Sequence, residues 1–149
     1  MMRLTSALCA AAALLALTVP TGPAWADGRD FNDGPVVNSS YIRTVDGHFD
    51  EYMHWLATTY KKQQEAAKAA GLITSWRVLV TEARTPQDPD IILVSEFKNW
   101  AALDHLGGKL DQVSTKIEGS TEAAAKSEAD RAKIRTVLGA RTSQEAILK

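Results

Sequence analysis

Residues 40–97 decide the fold: SYIRTVDGHFDEYMHWLATTYKKQQEAAKAAGLITSWRVLVTEARTPQDPDIILVSEF. Tyr41–Val45 alternates polar and apolar side chains, which predicts a β-strand. From His48 to Ala70, apolar side chains recur every three or four residues, so this segment is predicted to be one long amphipathic helix. Leu72–Ala83 and Ile91–Val94 are rich in β-branched residues and predict two more strands, joined by a turn that contains proline and aspartate.

The rest of the chain completes this unit. Asn99 is suited to cap a second helix, and Gly107–Gly108 is expected to interrupt that helix. The alanine-rich segment Thr121–Leu138 predicts another helix, and Arg141–Lys149 predicts a final strand. The order βαββα(α)β predicts an α+β fold of the ferredoxin-like type, a four-stranded antiparallel sheet with its helices on one face. Within it, the first and third strands are expected to run parallel at the centre.

Residues 1–26 have the features of a signal peptide. Arg3 is the only charged residue among them, and the apolar run Ala7–Leu17 is too short to span a bilayer as a helix. Ala24-Trp25-Ala26 fits the small-x-small pattern that signal peptidases cleave. The protein is therefore predicted to be exported, to the periplasm or outside the cell, with Asp27 as its first residue.

The exported chain is long enough for one domain. Residues 27–38 are rich in Gly, Asp and Asn and predict a flexible lead-in, followed by a single domain over residues 39–149. The only cysteine, Cys9, leaves with the signal peptide, which excludes disulfides, thiolate catalysis and cysteine metal sites. The remaining 16 basic and 18 acidic residues form no long run of one sign. This composition predicts no nucleic-acid partner, and no membrane partner after signal removal.

Both faces of the predicted sheet carry apolar side chains. Trp76, Val78 and Val80 lie on one side of the second strand, whereas Leu79 lies on the other, and the third strand is apolar on both sides. Helices cover only one face of such a sheet, and a large apolar patch is rare on a monomer. The sequence therefore predicts a homodimer in which two sheets pair face to face.

The chain resembles the dimeric α+β barrel superfamily. The segments that carry the resemblance are the strand Tyr41–Val45, the helix entry Gly47-His48-Phe49-Asp50-Glu51-Tyr52, the strand-to-helix passage Leu93–Trp100, and Asp130-Arg131 through Arg141. The resemblance covers roughly residues 38–149 and rests on the order of the secondary-structure elements. Within the superfamily, the chain looks most like small exported members of unassigned function. The resemblance implies a dimer with a barrel between its sheets; the superfamily includes cofactor-independent monooxygenases, isomerases and haem-binding proteins.

Four polar residues are predicted to line the barrel: Tyr41, Arg43, Arg77 and Glu96. Arginine and tyrosine in an apolar cavity would bind a carboxylate or phenolate and stabilise developing negative charge. In the alternative interpretation, Arg43 and Glu96 form a structural ion pair. Trp76 is a candidate wall of the ligand pocket, together with Phe97, although core packing explains both aromatic residues equally well.

The histidines offer weaker possibilities. His48, Glu51 and His54 follow each other at three-residue steps, but His54 points about 120° away from His48, so no metal site is predicted. His48 remains a ligand-binding candidate because it begins the helix at one mouth of the barrel. No cofactor is predicted; His48 and His105 could ligate haem only by the general chemistry of imidazole. Three further cations are interpreted as ordinary solvated helix charges: Arg131, Lys133 and Arg135.

Three functions remain open at this point. The first is an exported homodimer that binds a small aromatic or hydrophobic molecule. The second is a cofactor-independent monooxygenase or isomerase that uses Tyr41, Arg43, His48 or Arg77 for proton transfer and oxyanion stabilisation. The third is a structural or interaction protein in which the barrel is only an interface.

Overall fold

A computed structural model describes residues 28–149, so the predicted signal peptide lies outside the described residues. The strands are β1 (Phe31–Thr44), β2 (Ser75–Val80), β3 (Ile91–Phe97) and β4 (Arg135–Leu148). The helices are α1 (Phe49–Trp55), α2 (Lys61–Ala69), α3 (Leu106–Glu118) and α4 (Thr121–Ile134). A π-helical segment (Leu56–Tyr60) joins α1 to α2, and a short 3₁₀ helix (Trp100–Leu103) precedes α3.

The strands form one sheet in the order β2-β3-β1-β4, and every neighbouring pair is antiparallel. With the helices packed on one face, this is the ferredoxin-like α+β fold that the element order predicts. The prediction that the first and third strands run parallel is wrong, since β1 and β3 are antiparallel neighbours. The crossover through α1 and α2 makes β1 parallel to β2, and the β2–β3 hairpin then reverses β3 between them.

The first and last strands of the chain, β1 and β4, are longer than predicted. β1 begins at Phe31, which pairs with Leu148 at the end of β4, so the interpretation of residues 27–38 as a flexible lead-in is wrong for residues 31–38. β4 begins at Arg135, which shortens the helix that was predicted to continue to Leu138. Both differences have one cause. The two segments satisfy each other's backbone groups across a long ladder, and neither has a strong strand pattern by itself.

Two groups of buried side chains hold the helices on the sheet. Around the π-helical segment the buried residues are Ile42, Tyr52, Leu56, Tyr60 and Ile91. Around α2 and α3 they are Val36, Ala67, Ile73 and Phe97. The helical members of both groups lie on the stripe that the three- and four-residue periodicity predicts, and this packing stabilises a helix that is polar on its other side.

The predicted Asn99 cap is present, but the predicted helix break lies elsewhere. The Asn99 side chain accepts a hydrogen bond from the Ala102 amide at 3.1 Å. Gly107 and Gly108 are in the first turn of α3, and the chain bends before them, at His105, which has a left-handed φ of 56°. Within residues 28–149, none of the helices combines the length and the apolar character that crossing a membrane requires.

Candidate functional site

The sheet has one face that the helices of the described chain do not cover. Successive side chains of a strand point to opposite faces, and Ile42 and Ile91 point into the core. The residues next to them on β1 and β3 therefore point to the uncovered face. We call it the open face. From β2 to β4, cross-strand pairing arranges it in three rows: Leu79, Ile92, Tyr41 and Gly139; then Arg77, Val94, Ser39 and Arg141; then Ser75, Glu96, Val37 and Ser143.

Four of the predicted site residues lie on the open face, namely Tyr41, Arg43, Arg77 and Glu96. They do not form a single cluster. Glu96 pairs with Val37, six residues before Arg43 on β1, which separates the two positions by about 20 Å. The alternative interpretation, in which Arg43 and Glu96 form a structural ion pair, is therefore wrong. Glu96 instead accepts a hydrogen bond from the Thr74 hydroxyl at 2.9 Å.

Positive charge predominates on the open face. Arg77 and Arg141 lie on the two edge strands in the middle row, and Arg43 lies beyond the row of Tyr41. Glu96 is the one acidic side chain in the three rows. Between the charges runs an apolar strip in which Leu79 is 44% exposed. A face with this composition can bind an anion that has a hydrophobic body.

Trp76 does not belong to the open face. Its ring meets Tyr60 edge-on at a centroid distance of 5.9 Å, and its indole N–H donates to Glu65 at 3.0 Å. Phe97 is also buried, in the second core group. The interpretation of Trp76 as a pocket wall is therefore wrong, because its position on β2 turns the side chain toward the helices.

His48 precedes α1 and lies away from the open face. Its Nδ1 is 2.7 Å from a carboxylate oxygen of Glu51, and both side chains are largely exposed. Across residues 28–149, no group of three or more His, Cys, Asp or Glu side chains could hold a metal ion. The prediction that the chain uses no cofactor, with haem ligation by His48 or His105 as the alternative, is not tested by any contact of these residues and stays a prediction.

The helical side of the molecule has a cluster that the sequence did not predict, the arginine–aromatic cluster, which comprises Tyr52, Trp55, Glu128, Arg131 and Arg135. The Arg131 guanidinium lies 4.1 Å from the Trp55 ring centroid, and that of Arg135 lies 5.5 Å from the Tyr52 centroid. The Tyr52 and Trp55 rings stack at 5.7 Å. Glu128 pairs with both arginines, at 3.1 Å from Arg135.

Arg131 and Arg135 are therefore not solvated helix charges. The Arg131 side chain is 10% exposed and that of Arg135 is 11% exposed, whereas Lys133 is exposed as predicted. A signal for Arg131 was present in the sequence, because it is three residues before Ile134, on the buried side of α4. Its charge alone favours a solvated position, whereas this spacing favours the buried one that the structure shows.

Several polar atoms of the cluster are buried without partners. They are Tyr52 Oη, Trp55 Nε1, Arg131 Nε and Arg135 Nε, none of which has a hydrogen-bond partner among the described residues. Burial raises the pKa of the Tyr52 hydroxyl, and the nearby charges of Arg135 and Arg131 oppose that rise. The phenol stays neutral at physiological pH and can donate a hydrogen bond.

Two solved structures are similar to this chain. HapK from Hahella chejuensis is 15% identical with a TM-score of 0.46, over 74% of this chain and 91% of HapK. A dimeric protein of unknown function and ferredoxin-like fold from Bacteroides fragilis NCTC 9343 is 16% identical with a TM-score of 0.42, over 78% of this chain and 99% of that protein. No protein-family model and no curated protein matches the chain. Neither likeness identifies a family or a function for it.

Proposed function

We propose that the protein is an exported homodimer that binds a small molecule between two open faces packed against each other. The observation that supports this proposal is the row Leu79–Ile92–Tyr41 on the uncovered side of the sheet, in which Leu79 is 44% exposed and the other two are half-buried. The exposed apolar surface of this row leaves water only when something covers it, and the helices of the described chain lie on the other side.

The composition of the open face favours a second copy as the cover. A two-fold interface uses the same patch twice, so the patch has to be complementary to itself. Arg77 and Glu96 lie in adjacent rows and supply both signs of charge within one patch. Pairing of two copies can therefore match the arginine of one protomer with the glutamate of its partner.

The charge of the face supports one class of ligand. Two open faces together contribute more arginines than glutamates, beside the Tyr41 hydroxyl and the apolar strip. Guanidinium groups next to a hydrophobic wall bind a carboxylate or phenolate on an aromatic body. Export rests on the signal peptide predicted for residues 1–26, and turnover by an oxygenase or isomerase mechanism stays a prediction.

The oligomeric state tests the dimer. Leu79→Asp places a charge in the proposed interface, and Val80→Asp is the matched control, because Val80 is the next residue, is 61% exposed and faces the opposite way. We expect sedimentation to show a dimer for the unmodified chain and for Val80→Asp, and a monomer for Leu79→Asp. An unmodified chain that stays monomeric at every concentration would overturn the proposal.

Thermal stabilisation by small aromatic acids tests the ligand. We expect a rise in the melting temperature of the dimer that Arg77→Ala reduces. Arg84→Ala, in the exposed loop after β2, should leave the rise unchanged. If neither substitution alters the stabilisation, the ligand does not bind at the open face, and the barrel is an interface alone.

A further inference from the structure

A groove lies on the helical side of the molecule, between the π-helical segment and α4. It has a volume of about 520 Å³, which is within the size range of small-molecule sites. Its lining includes Trp55, Thr58 and Thr59 on one side, and Ser127, Arg131 and Ile134 on the other. Because all of them belong to one protomer and the helical face, the groove does not depend on pairing of the open faces.

The residues at the base of the groove lack hydrogen-bond acceptors. Trp55 Nε1 and Arg131 Nε, both from residues that line the groove, are buried and unpartnered among the described residues. Indole and guanidinium nitrogens only donate, so the atoms that would satisfy them are acceptors. Two such donors beside one groove are unusual, since buried polar groups in folded proteins nearly always have partners.

The groove is lined by charges of both signs. Lys126 and Arg131 are its cations, and Glu51 and Asp130 are its carboxylates. The Asp130 carboxylate contacts both Lys126 and Lys133 at 2.8 Å, and the Glu128 carboxylate contacts both Arg131 and Arg135. The charges of the lining therefore balance, and it is the unpartnered donors Trp55 Nε1 and Arg131 Nε that favour a ligand with acceptor oxygens.

The backbone opposite α4 is also unusual. Residues Leu56–Tyr60 form a π-helix, and such segments are frequent at functional sites because the extra residue in the turn widens the helix. Thr58 and Thr59, which line the groove, belong to this segment. The Thr58 hydroxyl donates to the His54 carbonyl at 2.8 Å, which fixes the side chain at the rim.

From the missing acceptors and the π-helical wall, we infer that this groove binds a small aromatic carboxylate. The ring packs against the Trp55 indole and Ile134, and the carboxylate oxygens accept from Trp55 Nε1–H and Arg131 Nε–H. Because both donor atoms are buried, the carboxylate reaches them when the side chains that cover them rotate.

The tryptophans provide a specific test. The Trp76 indole N–H donates to Glu65 and the Trp100 indole N–H donates to Gln144, whereas that of Trp55 has no partner among the described residues. In a nitrogen-15 NMR titration of the chain from Asp27 with benzoate, we expect the Trp55 indole resonance to move and to saturate. The resonances of Trp76 and Trp100 should stay in place, and Trp55→Phe assigns the signal. A Trp55 resonance that does not move, or that moves with the other two, would overturn the inference.

Two other probes define the ligand class. Benzyl alcohol has the ring without the carboxylate, and inorganic phosphate has the charge without the ring. We expect both to move the Trp55 resonance less than benzoate does at the same concentration. An equal effect of benzyl alcohol would contradict the role of the carboxylate, and an equal effect of phosphate would contradict the role of the ring.

A matched pair of variants locates the site. Ala123→Phe fills the groove, since Ala123 is exposed and lines it. Ala129→Phe adds the same side chain at another exposed position of α4. Benzoate binding should be lost in the first and kept in the second, and its retention in Ala123→Phe would refute the site. The monomeric Leu79→Asp should still bind benzoate, so failure of the proposed dimer and failure of this inference are distinguishable.

Discussion

The guanidinium of Arg131 lies over the indole ring of Trp55, 4.1 Å from the ring centroid. This contact joins α4 to α1, and Arg131 is one of the few charged residues that the fold buries, with 9% of its surface exposed. Ser127 and Glu128 accept from its two terminal nitrogens. The arrangement combines a cation–π contact with a neutralising carboxylate, which makes a buried arginine tolerable.

Removing Arg131 should therefore destabilise the domain. We expect Arg131→Ala to lower the free energy of unfolding by about 2 kcal/mol, from the lost stacking and packing on Trp55. Lys133→Ala, on the exposed side of the same helix, should change it by less than about 0.5 kcal/mol. Urea denaturation of the two variants measures both values. Equal effects would mean that the buried contact contributes nothing to stability.

Asp90 holds the end of β1. Both of its carboxylate oxygens lie 3.1 Å from the Thr44 amide nitrogen, and one also accepts from the Thr44 hydroxyl. Because Thr44 is buried, Asp90→Ala leaves these donors without an acceptor and should cost about 1–3 kcal/mol of unfolding free energy. Asp46→Ala, in the exposed turn that follows, is the control. If the two substitutions are equivalent in urea denaturation, the Thr44 donors find another acceptor.

Burial of Tyr60 should make the domain sensitive to alkali. Desolvation raises the pKa of its hydroxyl from 10.0 to about 12, with a hydrogen bond to Ser95 acting in the opposite direction. Between these values the unfolded chain loses the proton while the folded chain keeps it. The free energy of unfolding therefore falls as pH rises, by at most about 1.4 kcal/mol per pH unit.

Tyr60→Phe removes this source of pH dependence. Its unfolding free energy, measured in urea at increasing pH, should decline less steeply than that of the unmodified chain above pH 10. Tyr52, whose pKa is also raised, contributes in the same direction and should leave a residual slope. Parallel pH profiles for the two proteins would show that Tyr60 ionises equally in the folded and unfolded chains.

The parts of the fold that the sequence predicts are those with local causes. The long helix follows from the spacing of residues such as Tyr52, Leu56 and Tyr60, and the Asn99 cap follows from one side chain beside its own helix. The outer half of β1 was missed because its partner is β4, more than 100 residues away in the chain. Its stability comes from that ladder, and the segment around Gly34 and Pro35 has little intrinsic strand preference.

The open face shows a second limit of structure prediction from sequence. Alternation along β2 predicts that Trp76 and Arg77 face opposite ways, but the sequence leaves open which of them meets the helices. That choice depends on the register with β3, where Trp76 pairs with Ser95 and Arg77 with Val94. The arginine–aromatic cluster was missed for another reason, since residues from α1, α4 and β4 meet only when the helices pack.

The pairing of Phe31 with Leu148 brings the two ends of the domain together, and the Lys149 amide donates to the Asp30 carbonyl at 3.0 Å. A short linker could join these ends without disturbing any strand, which makes the domain a good subject for circular permutation. A new start at Gly119, in the connection between α3 and α4, would keep all four strands intact. The order of the elements along the chain would then differ from the natural one, and the ladder between β1 and β4 would hold the joined ends in place by itself.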